Sequence, residues 1–479
     1  MSGNEPRGSS TTPLRPEPVI AGIVVVAAVL RLATISTQSL WADEAFTARI
    51  ATSSLGSAAS QVPHTESTPP LYYALEWLWV HVFGSSAFAL RFPAALFGCM
   101  TVVAIWVVGV LIAGRLAGLI AAVLTATSPI MVWYSQEARS YALLVLLCVA
   151  ALGFFVLARR EPRSRWLVGW ALCSAAALAT HYFAVFPVVA EGGWLLLTQD
   201  RRRVAAAAAI PLLAGAALLP LALYQKDHVP RPWTSIYSVG DQVKAIAQSF
   251  FIGPTWTPII HRAGLAALAL LALAAVYALA RSGPSRRRSW GGALAVLAAL
   301  ALGLPLVLSL LGTNYLAPRN VLYAWPLLAL VVALGAAGPP RRWMLAGVLA
   351  GSAIFIAITV TVASTPRLQR DDWRGLLGSL GAPRGARAVM VVDGFTDDRV
   401  VQYYLPRLRV LRRPIGVSEL VVVGSPSEVA AFVRTPPEPG LAALSVQVRG
   451  HIALARFVAP SGSLLPASVP VGSSSTLLA

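Results

Sequence analysis

Two adjacent carboxylates, Asp43 and Glu44, follow the first long apolar run of the sequence, in the segment from Ser39 to Ala45. Charged side chains are costly in a bilayer interior, so we expect this pair at a water boundary. A carboxylate held there between apolar walls can bind a cation or take a proton from an attacking hydroxyl group. The pair is equally suited to cap a helix that begins at Ala45, because carboxylates stabilise helix N-termini.

Composition places these carboxylates in a polytopic membrane protein. The 479 residues are 57% hydrophobic and 12% charged, with a mean hydropathy of +0.68, which excludes an ordinary soluble globular chain. The formal net charge is +18, but the arginines form short clusters between apolar runs and no basic stripe with aromatic residues. We therefore interpret them as topology signals and expect no nucleic-acid partner. Cys99, Cys148 and Cys173 lie inside apolar runs without ligand-like spacing and are interpreted as small buried hydrophobic residues.

The chain divides by composition into four parts. Residues 1–18 are polar and are predicted to be a disordered cytoplasmic tail, and residues 19–364 form the transmembrane domain. The first span, Val19 to Ile35, is predicted to be a retained anchor rather than a cleaved signal peptide. Arg31, near its outer end, is expected either to reach outward to the interface or to pair with an acidic residue.

Arginine clusters order the spans, because loops rich in Lys and Arg stay in the cytoplasm. The clusters occupy alternate loops, so the intervening loops, which carry Asp43 and Glu137, are predicted to be extracytoplasmic. About eleven spans of roughly twenty apolar residues are predicted in this way. The apolar stretch Leu71 to Phe83 is short and holds Glu76 and His81, so we expect it to be a helix lying at the outer interface.

The composition changes again after the last predicted span. Residues 365–460 are predicted to form a small extracytoplasmic α/β domain, and residues 461–479 a flexible tail. Within the domain, the predicted strands and helices are Ala388–Val392, Leu408–Arg412 and Leu420–Val423, and Arg399–Leu405 and Pro426–Val433, respectively.

Other ionisable residues recur at span ends on the same predicted face. Glu137 and Arg139 lie in one loop, and the cationic set consists of Lys226, His228, Arg231 and Arg319, of which Arg231 lies outside the residues that the structure describes. Acidic and basic groups beside an apolar surface suit a phosphate-bearing lipid, whose charge needs Arg or Lys. Each group also has a simpler interpretation: a span-end ion pair for Glu137 and Arg139, a solvated loop for the next three, and an interfacial anchor for Arg319.

The order of these motifs along the chain resembles the C-type membrane glycosyltransferases, in the family 39-like branch that includes protein O-mannosyltransferases and the lipid A aminoarabinose transferase. The resemblance covers Val19 to about Val362 and is strongest in the first third. The motifs that carry it are Leu40-Trp41-Ala42-Asp43-Glu44-Ala45, Pro69-Pro70-Leu71-Tyr72-Tyr73, Arg91-Phe92-Pro93 and Trp133-Tyr134-Ser135-Gln136-Glu137-Ala138-Arg139.

The resemblance implies an all-α polytopic fold of the GT-C type with a small extracytoplasmic α/β domain at its C-terminus. It also implies inverting transfer of a mannose-like or arabinose-like sugar from a polyprenyl-phosphate donor to a protein, glycolipid or polysaccharide acceptor of the cell envelope or cell wall. The location implied is the plasma membrane, with the active site outside the cytoplasm and membrane lipid as a partner.

By similarity, Asp43 is the catalytic carboxylate, acting as a base or as a metal ligand. Glu44 is its motif partner, and Glu137 matches the second acidic position, so a divalent metal held by Asp43 and Glu137 is one alternative. Lys226, His228 and Arg319 are expected to bind the donor phosphate, and Arg139 is expected either to help them bind it or to orient Glu137.

This chain departs from the family pattern just before the paired prolines. Relatives often carry His or Lys just before the paired prolines, where this chain has Thr68, so a donor role at that position is in doubt.

The rival function is that of a transporter or flippase of lipid-linked sugars. Transporters usually show ionisable groups near the midplane and repeated halves. Here the predicted spans are mostly uncharged, Glu191 excepted, and the sequence shows no internal repeat.

Overall fold

The structure is a computed structural model, mainly helical with a small β-sheet near its end. It describes residues 18–228, 237–253, 258–281, 286–312, 314–339, 341–383, 385–392, 398–410, 415–436, 439–460, 465–467 and 476–479. The polar stretch predicted as a cytoplasmic tail, residues 1–18, lies outside the described residues except for its last position, where the first helix begins.

The described residues form nineteen α-helices, several of them long and apolar. In chain order they are α1 (Pro18–Leu32), α2 (Ala42–Ala51), α3 (Leu55–Thr65), α4 (Leu71–Phe83), α5 (Ala87–Ala113), α6 (Arg115–Thr127), α7 (Pro129–Ser135), α8 (Tyr141–Arg160), α9 (Ser164–Thr180), α10 (Val185–Thr198), α11 (Arg201–His228), α12 (Val239–Ile252), α13 (Pro258–Arg281), α14 (Arg286–Leu310), α15 (Ala324–Ala336), α16 (Arg341–Ser364), α17 (Trp373–Gly378), α18 (Asp398–Tyr404) and α19 (Pro426–Arg434). Short 3-10 helices occupy Tyr182–Ala184, Pro318–Val321 and Pro366–Leu368.

Among the described residues, five helices are long and apolar enough to cross a membrane by length and composition: α5, α8, α11, α14 and α16. A sixth is obtained if the bent pair α6 and α7 is one span. The prediction of about eleven spans also counted shorter apolar helices such as α1, α10 and α15. A helix rises about 1.5 Å per residue, so these helices fall short of a hydrocarbon core of about 30 Å. The structure confirms several apolar helices, and the count of eleven stays a prediction.

Helices α5 and α6 form a tight antiparallel pair. The turn between them is Gly114, whose φ of +90° favours a residue without a side chain. Close to the turn, a Cβ added to Gly109 would lie 2.6 Å from the Cα of Gly118. The two backbones therefore approach too closely for a larger residue at position 109. This pairing fixes the direction of α5, whose first turns carry a residue of the candidate site.

The bend between α6 and α7 is 62°, and Arg31 of α1 stabilises it. A broken helix leaves carbonyl groups without partners, which is costly away from water. The Arg31 guanidinium donates to the carbonyls of Thr125 and Ala126 at 3.3 and 3.0 Å and to Ser135 Oγ at 3.2 Å. Arg31 is fully buried, so it neither reaches outward nor pairs with an acidic residue, and both sequence interpretations of it were wrong. Its function is to hold the bend that sets the position of the following loop, residues 136–140.

The described part of the C-terminal domain contains seven short strands besides helices α17 to α19. They are β1 (Arg387–Val391), β2 (Ile415–Val417), β3 (Glu419–Gly424), β4 (Ala442–Arg449), β5 (Ile452–Val458), β6 (Leu465–Ala467) and β7 (Thr476–Leu478). Five form one sheet in the order β4-β5-β3-β1-β7, in which β1 and β3 are parallel and the other pairs antiparallel. Strands β2 and β6 form a separate pair. Alternate residues of β1 enter the cores on the two faces of the sheet, which explains its unbroken apolar sequence.

The domain agrees with the sequence prediction in its first half and differs in its second. Strands β1 and β3 and helices α18 and α19 form close to their predicted positions. Of the predicted strand Leu408–Arg412, Val410 forms an isolated bridge to Leu478, and residues 411–412 lie outside the described residues. The predicted flexible tail instead contains β6 and β7, because Leu477 and Leu478 are apolar and fill both cores of the sheet.

The domain packs directly on α2. Ala45 of α2 is part of the apolar core made by Trp373, Leu376 and Val400 of the domain. The hydroxyl of Tyr404 accepts the backbone N–H of Leu40 at 2.8 Å, just before α2 begins. Helix α4 packs on another side of α2 and forms over the predicted range, Leu71–Phe83. Helix α2 is therefore held between the helical part of the chain and the C-terminal domain.

Candidate active site

The carboxylates of Asp43 and Glu44 occupy the first turn of α2, which begins at Ala42 and not at Ala45. Adjacent residues of an α-helix point about 100° apart, so the two side chains enter different surroundings. The Asp43 side chain is 26% exposed, whereas that of Glu44 is 0% exposed. The capping interpretation holds for Glu44, whose Oε2 accepts the Trp41 backbone N–H at 3.4 Å.

Glu44 is the centre of a buried cluster of charges. Its two carboxylate oxygens accept from Arg91 Nε and Nη2, both at 2.6 Å, in a bidentate pair. Arg370 Nη1 donates to Glu44 Oε2 at 3.2 Å, and the backbone N–H of Ala138 donates to Oε1 at 3.0 Å. Burial by itself would raise the pKa of Glu44, but the two guanidinium groups hold it below the usual value. Glu44 is therefore a charged residue with a full set of partners.

Arg91 extends this cluster to the backbone that precedes α2. It lies in the first turns of α5 and is 1% exposed. Beyond Glu44, its guanidinium donates to the carbonyls of Ile35, Gln38 and Ser39 at 2.8 to 2.9 Å. A single arginine thus satisfies both a buried carboxylate and the irregular segment between α1 and α2, which fixes the path of the chain into the carboxylate pair.

Asp43 faces a different cation. Its Oδ2 accepts from Arg319 Nη1 at 3.1 Å, and Arg319 lies in the short 3-10 helix Pro318–Val321. The Arg319 guanidinium also lies over the rings of Trp41 and Tyr141, at 5.7 and 6.0 Å from their centroids. The Arg319 side chain is 19% exposed, so the Asp43–Arg319 pair is open to a ligand where the Glu44 cluster is not.

Glu137 lies in the loop between α7 and α8. Arg370 Nη2 donates to its Oε2 at 2.9 Å, so one arginine joins Glu137 to Glu44. Its other oxygen, Oε1, is buried without a hydrogen-bond partner among the residues that the structure describes. Burial, opposed by Arg370 and Arg319 and reinforced by the nearby carboxylates Glu44 and Asp43, raises the pKa of Glu137 to about 7. Glu137 can therefore gain or lose a proton near neutral pH.

Arg139, two residues further along the loop, is engaged by a different acid. It forms a bidentate pair with Glu66, with Nη1–Oε1 and Nη2–Oε2 distances of 3.1 and 2.8 Å. The Tyr73 hydroxyl donates to Glu66 Oε2 at 2.6 Å and shares a 2.8 Å hydrogen bond with Thr68 Oγ1. Arg139 also donates to the Asp43 backbone carbonyl at 3.2 Å, so this chain of polar contacts stabilises the first turn of α2. Thr68, where relatives often carry His or Lys, is a member of the same network.

His181 is buried beside this arrangement and is uncharged. Burial, with Arg139 and Arg319 nearby, lowers its pKa to about 3. Its Nδ1 accepts the backbone N–H of Phe183 at 3.2 Å, so the ring proton of the neutral form lies on Nε2.

Lys226 and His228 lie apart from these charges. Both are exposed at the C-terminal end of α11, and His228 stacks on Tyr224 with ring centroids 3.9 Å apart. Within the part of the chain that the structure describes, no contact joins either residue to Asp43, Glu44 or Glu137. The end of α11 does reach the Thr68 side of the site, because Gln225 donates to the Thr68 carbonyl at 3.3 Å.

The structure thus brings together five of the seven predicted site residues: Asp43, Glu44, Glu137, Arg139 and Arg319. Sequence reasoning missed Arg91, Arg370 and Glu66 as partners of these residues. Arg91 and Glu66 lie in or beside the motifs of the family pattern, and that placement was the available signal. Arg370 had a weaker signal, its position in the basic stretch after the last span.

A divalent metal does not fit Asp43 and Glu137 in this arrangement. Each carboxylate already pairs with an arginine, Arg319 or Arg370, so the local negative charge that would attract a cation is neutralised. Among the described residues, no group of three or more His, Cys, Asp or Glu residues is arranged to hold a metal ion.

Comparison with known proteins agrees with the motif order. The sequence model of the family described as dolichyl-phosphate-mannose-protein mannosyltransferase matches residues 67–224, which include Arg91, Glu137 and Arg139. A comparison with curated proteins gives no match.

Solved structures show the same fold at low sequence identity. ArnT from Cupriavidus metallidurans in the apo state has a TM-score of 0.62 at 14% identity, covering 91% of this chain and 97% of that one. The same protein bound to undecaprenyl phosphate has a TM-score of 0.47, with the same identity and coverage. The Archaeoglobus fulgidus oligosaccharyltransferase in the apo form has a TM-score of 0.49 at 12% identity, covering 76% of this chain and 58% of that one.

The first of these likenesses covers 91% of this chain, and the family match lies over the segment that supplies Arg91 and Arg139, the two arginines of that segment that contact α2. Motif order, family match and fold agree: the chain matches the protein mannosyltransferase family over residues 67–224, has the fold of ArnT, and is in these respects similar to the C-type membrane glycosyltransferases.

Proposed function

We propose that the protein transfers a sugar from a polyprenyl-phosphate sugar to an acceptor hydroxyl group, with inversion at the anomeric carbon. The observation that supports this most directly is the half-buried Asp43–Arg319 pair, a base and a phosphate ligand side by side. ArnT, whose fold this chain shares, has been solved with undecaprenyl phosphate bound. A polyprenyl phosphate is therefore the leaving group that the proposal assigns to Arg319.

The proposed reaction is a single displacement. The donor phosphate takes over Arg319, which frees the Asp43 carboxylate to accept the proton of the acceptor hydroxyl group. The acceptor oxygen attacks the anomeric carbon, and the bond from that carbon to the phosphate oxygen breaks with its electron pair on the phosphate. Arg319 stabilises the added negative charge through charge-assisted hydrogen bonds. Polyprenyl phosphate, protonated Asp43 and the glycosylated acceptor are the products.

The remaining residues position this pair. Glu44, Arg91 and Arg370 hold the start of α2, and Glu66 and Arg139 support it at the Asp43 carbonyl. Because Arg139 is already paired with Glu66, we assign it a positioning role and leave the phosphate to Arg319. Lys226 and His228 are assigned no part in the displacement, since both are exposed at the end of α11.

We further propose that this chemistry takes place outside the cytoplasm, at the plasma membrane. The support is the alternation of arginine clusters along the sequence, with Asp43, Glu137 and Arg319 in the arginine-poor loops. Reporter fusions at Glu137 and Arg319 should report an extracytoplasmic position, and fusions at Arg163 and Arg202 a cytoplasmic one. The opposite pattern would contradict the proposed location of the active site.

The acceptor and the sugar are tested together with the reaction type. Purified protein is incubated with polyprenyl-phosphate mannose and polyprenyl-phosphate arabinose, and released polyprenyl phosphate is measured with and without envelope extracts as acceptor. We expect release from one of the two donors, a mannose-like or arabinose-like one, and its stimulation by the acceptor fraction. Passage of intact donor across a proteoliposome membrane without release of polyprenyl phosphate would instead indicate a flippase.

The same assay tests the metal. We propose that turnover needs no divalent ion at Asp43 and Glu137, because Arg319 and Arg370 already balance these charges. A chelator should leave the release of polyprenyl phosphate unchanged, and loss of activity that a divalent ion restores would contradict this.

A further inference from the structure

A cleft of about 1130 Å³ lies between α2 and the C-terminal domain, on the side of α2 away from Asp43. Ala45, Ala48 and Thr52 line it, and they lie on the helical face roughly opposite Asp43 at about 100° per residue. Asp43 and Thr47 instead face Arg139 and Arg319. The cleft is therefore separate from the candidate active site, although one short helix borders both.

The walls of the cleft carry a concentration of positive charge. Four arginines line it, namely Arg49 of α2 and Arg374, Arg399 and Arg409 of the domain. None of the fourteen lining residues is acidic, and outside the lining Asp398 pairs with Arg399 at 3.2 Å. Burial and the neighbouring Arg399 lower the pKa of Arg49, as expected where like charges converge. Because arginine side chains from α2 and from the C-terminal domain face the same cleft, the cleft favours binding of an anion between them.

The rim of the cleft points to a lipid rather than to a soluble anion. Ser85, in the turn between α4 and α5, and Ala87, the first residue of α5, form part of the lining. Beside them, Val82, Phe83 and Phe88 are exposed by 73%, 59% and 47%, respectively. Large apolar side chains exposed at the start of α5, a helix long enough to cross a membrane, suit contact with acyl chains. The cleft combines a cationic interior with an apolar margin.

We propose that this cleft binds the phosphate-bearing headgroup of a membrane lipid, at a site distinct from that of the donor phosphate. The lipid phosphate would bridge Arg49 of α2 and Arg399 of α18, and its acyl chains would lie along Phe83 and Phe88. Bound there, the lipid joins the two elements that carry these arginines and completes the attachment of the C-terminal domain at the membrane surface.

Native mass spectrometry of the purified full-length protein tests this, with phosphatidylglycerol as the anionic probe and phosphatidylcholine as its counterpart. We expect tight binding of phosphatidylglycerol to the wild type. The double variant Arg49→Gln/Arg399→Gln should weaken it about tenfold or more, because each charged hydrogen bond lost is worth roughly that factor. Arg434→Gln, an exposed arginine of the same domain outside the cleft, is the matched control and should bind as the wild type does.

Equal phosphatidylglycerol binding by the wild type and the double variant would overturn the proposal. Displacement of phosphatidylglycerol by millimolar inorganic phosphate would also overturn it, because the site would then serve a soluble anion. If the double variant fails to fold, Arg409→Gln replaces it, since this exposed side chain bonds only to carbonyls of its own turn among the contacts described, and partial loss of binding is expected. Donor turnover is not part of the readout, so the result is independent of the proposed transferase reaction.

Discussion

Asp43 and Glu44 are adjacent residues with the same functional group, yet their surroundings differ in almost every respect. Glu44 is buried and held by Arg91, Arg370 and a backbone N–H, whereas Asp43 is partly exposed and pairs with Arg319, which is also partly exposed. A carboxylate with all its acceptor sites occupied stabilises the structure, and one with accessible oxygens can take part in a reaction. In this pair, solvent access and partner count separate structural from chemical function.

The largest effect is expected from the buried member. Glu44→Gln leaves Arg91 without its carboxylate at a site that is 1% exposed, and breaking a buried ion pair from one side costs about 3–5 kcal/mol. We expect a markedly lower thermal unfolding temperature and a low yield of folded protein. Fluorescence-detected size-exclusion chromatography after heating measures both. Glu161→Gln is the matched control, since its pair with Arg163 is exposed on both sides and worth little. Equal unfolding temperatures for the two variants would remove the structural role of Glu44.

The exposed member should show the opposite profile. Asp43→Asn keeps the size of the side chain and is expected to leave the unfolding temperature near that of the wild type. Its turnover should fall about a hundredfold or more, because a general base commonly contributes that factor. Release of polyprenyl phosphate by purified variant measures this. Wild-type turnover in Asp43→Asn would mean that both carboxylates only support the start of α2.

A smaller effect is expected at the partner of Asp43. Arg319→Lys keeps the charge but loses the planar two-pronged donor, at a cost of roughly 1–3 kcal/mol in phosphate binding. The Michaelis constant for the polyprenyl-phosphate sugar should rise severalfold or more, while that for the acceptor changes little. Steady-state kinetics with each substrate varied in turn measures both. If Arg319→Lys is silent and Lys226→Gln raises the donor constant instead, the phosphate site lies at the end of α11.

The smallest effect is expected at Glu137 and depends on pH. Its pKa in the folded protein, about 7, is above the ordinary value of 4.5, so the folded state favours the protonated form. That contribution to stability is fully present below about pH 4.5 and is lost as the pH rises through 7. The unfolding temperature of the wild type should therefore fall between pH 5 and pH 8 (approximate limits) relative to that of Glu137→Gln. Parallel curves for the two proteins would show that Glu137 does not titrate in this range.

Site residues that lie in motifs next to apolar runs could be predicted from the sequence alone to lie close together. Asp43, Glu44, Glu137, Arg139 and Arg319 were found in this way, as was helix α4 between Leu71 and Phe83. Which of these residues are buried in ion pairs and which are accessible to a ligand could not be predicted, because burial depends on contacts between distant segments. Glu44 meets Arg91 across 47 positions and Arg370 across 326, and no local pattern encodes such pairings.

Lys226 and His228 lie apart from the other predicted site residues, at the exposed end of α11, and their binding of the donor phosphate stays a prediction. Two other differences have local physical causes. Strands β6 and β7 were not predicted, since three-residue strands in a stretch rich in Ser, Pro and Gly have no detectable periodicity. Arg31 was expected to face a charge, whereas the backbone carbonyls of a bent helix are partners that side-chain patterns do not reveal.

The dual pairing of Arg370 has a consequence for how the protein is made. The carboxylates it joins are synthesised first, and the arginine follows 326 residues after Glu44 and 233 after Glu137. During translation and membrane insertion, nearly the whole helical part must be in place before the second counter-charge reaches Glu44. The buried charge cluster at the start of α2 is therefore among the last parts of the molecule to be completed, and a nascent chain that stalls before residue 370 lacks one of the two arginines that hold Glu44.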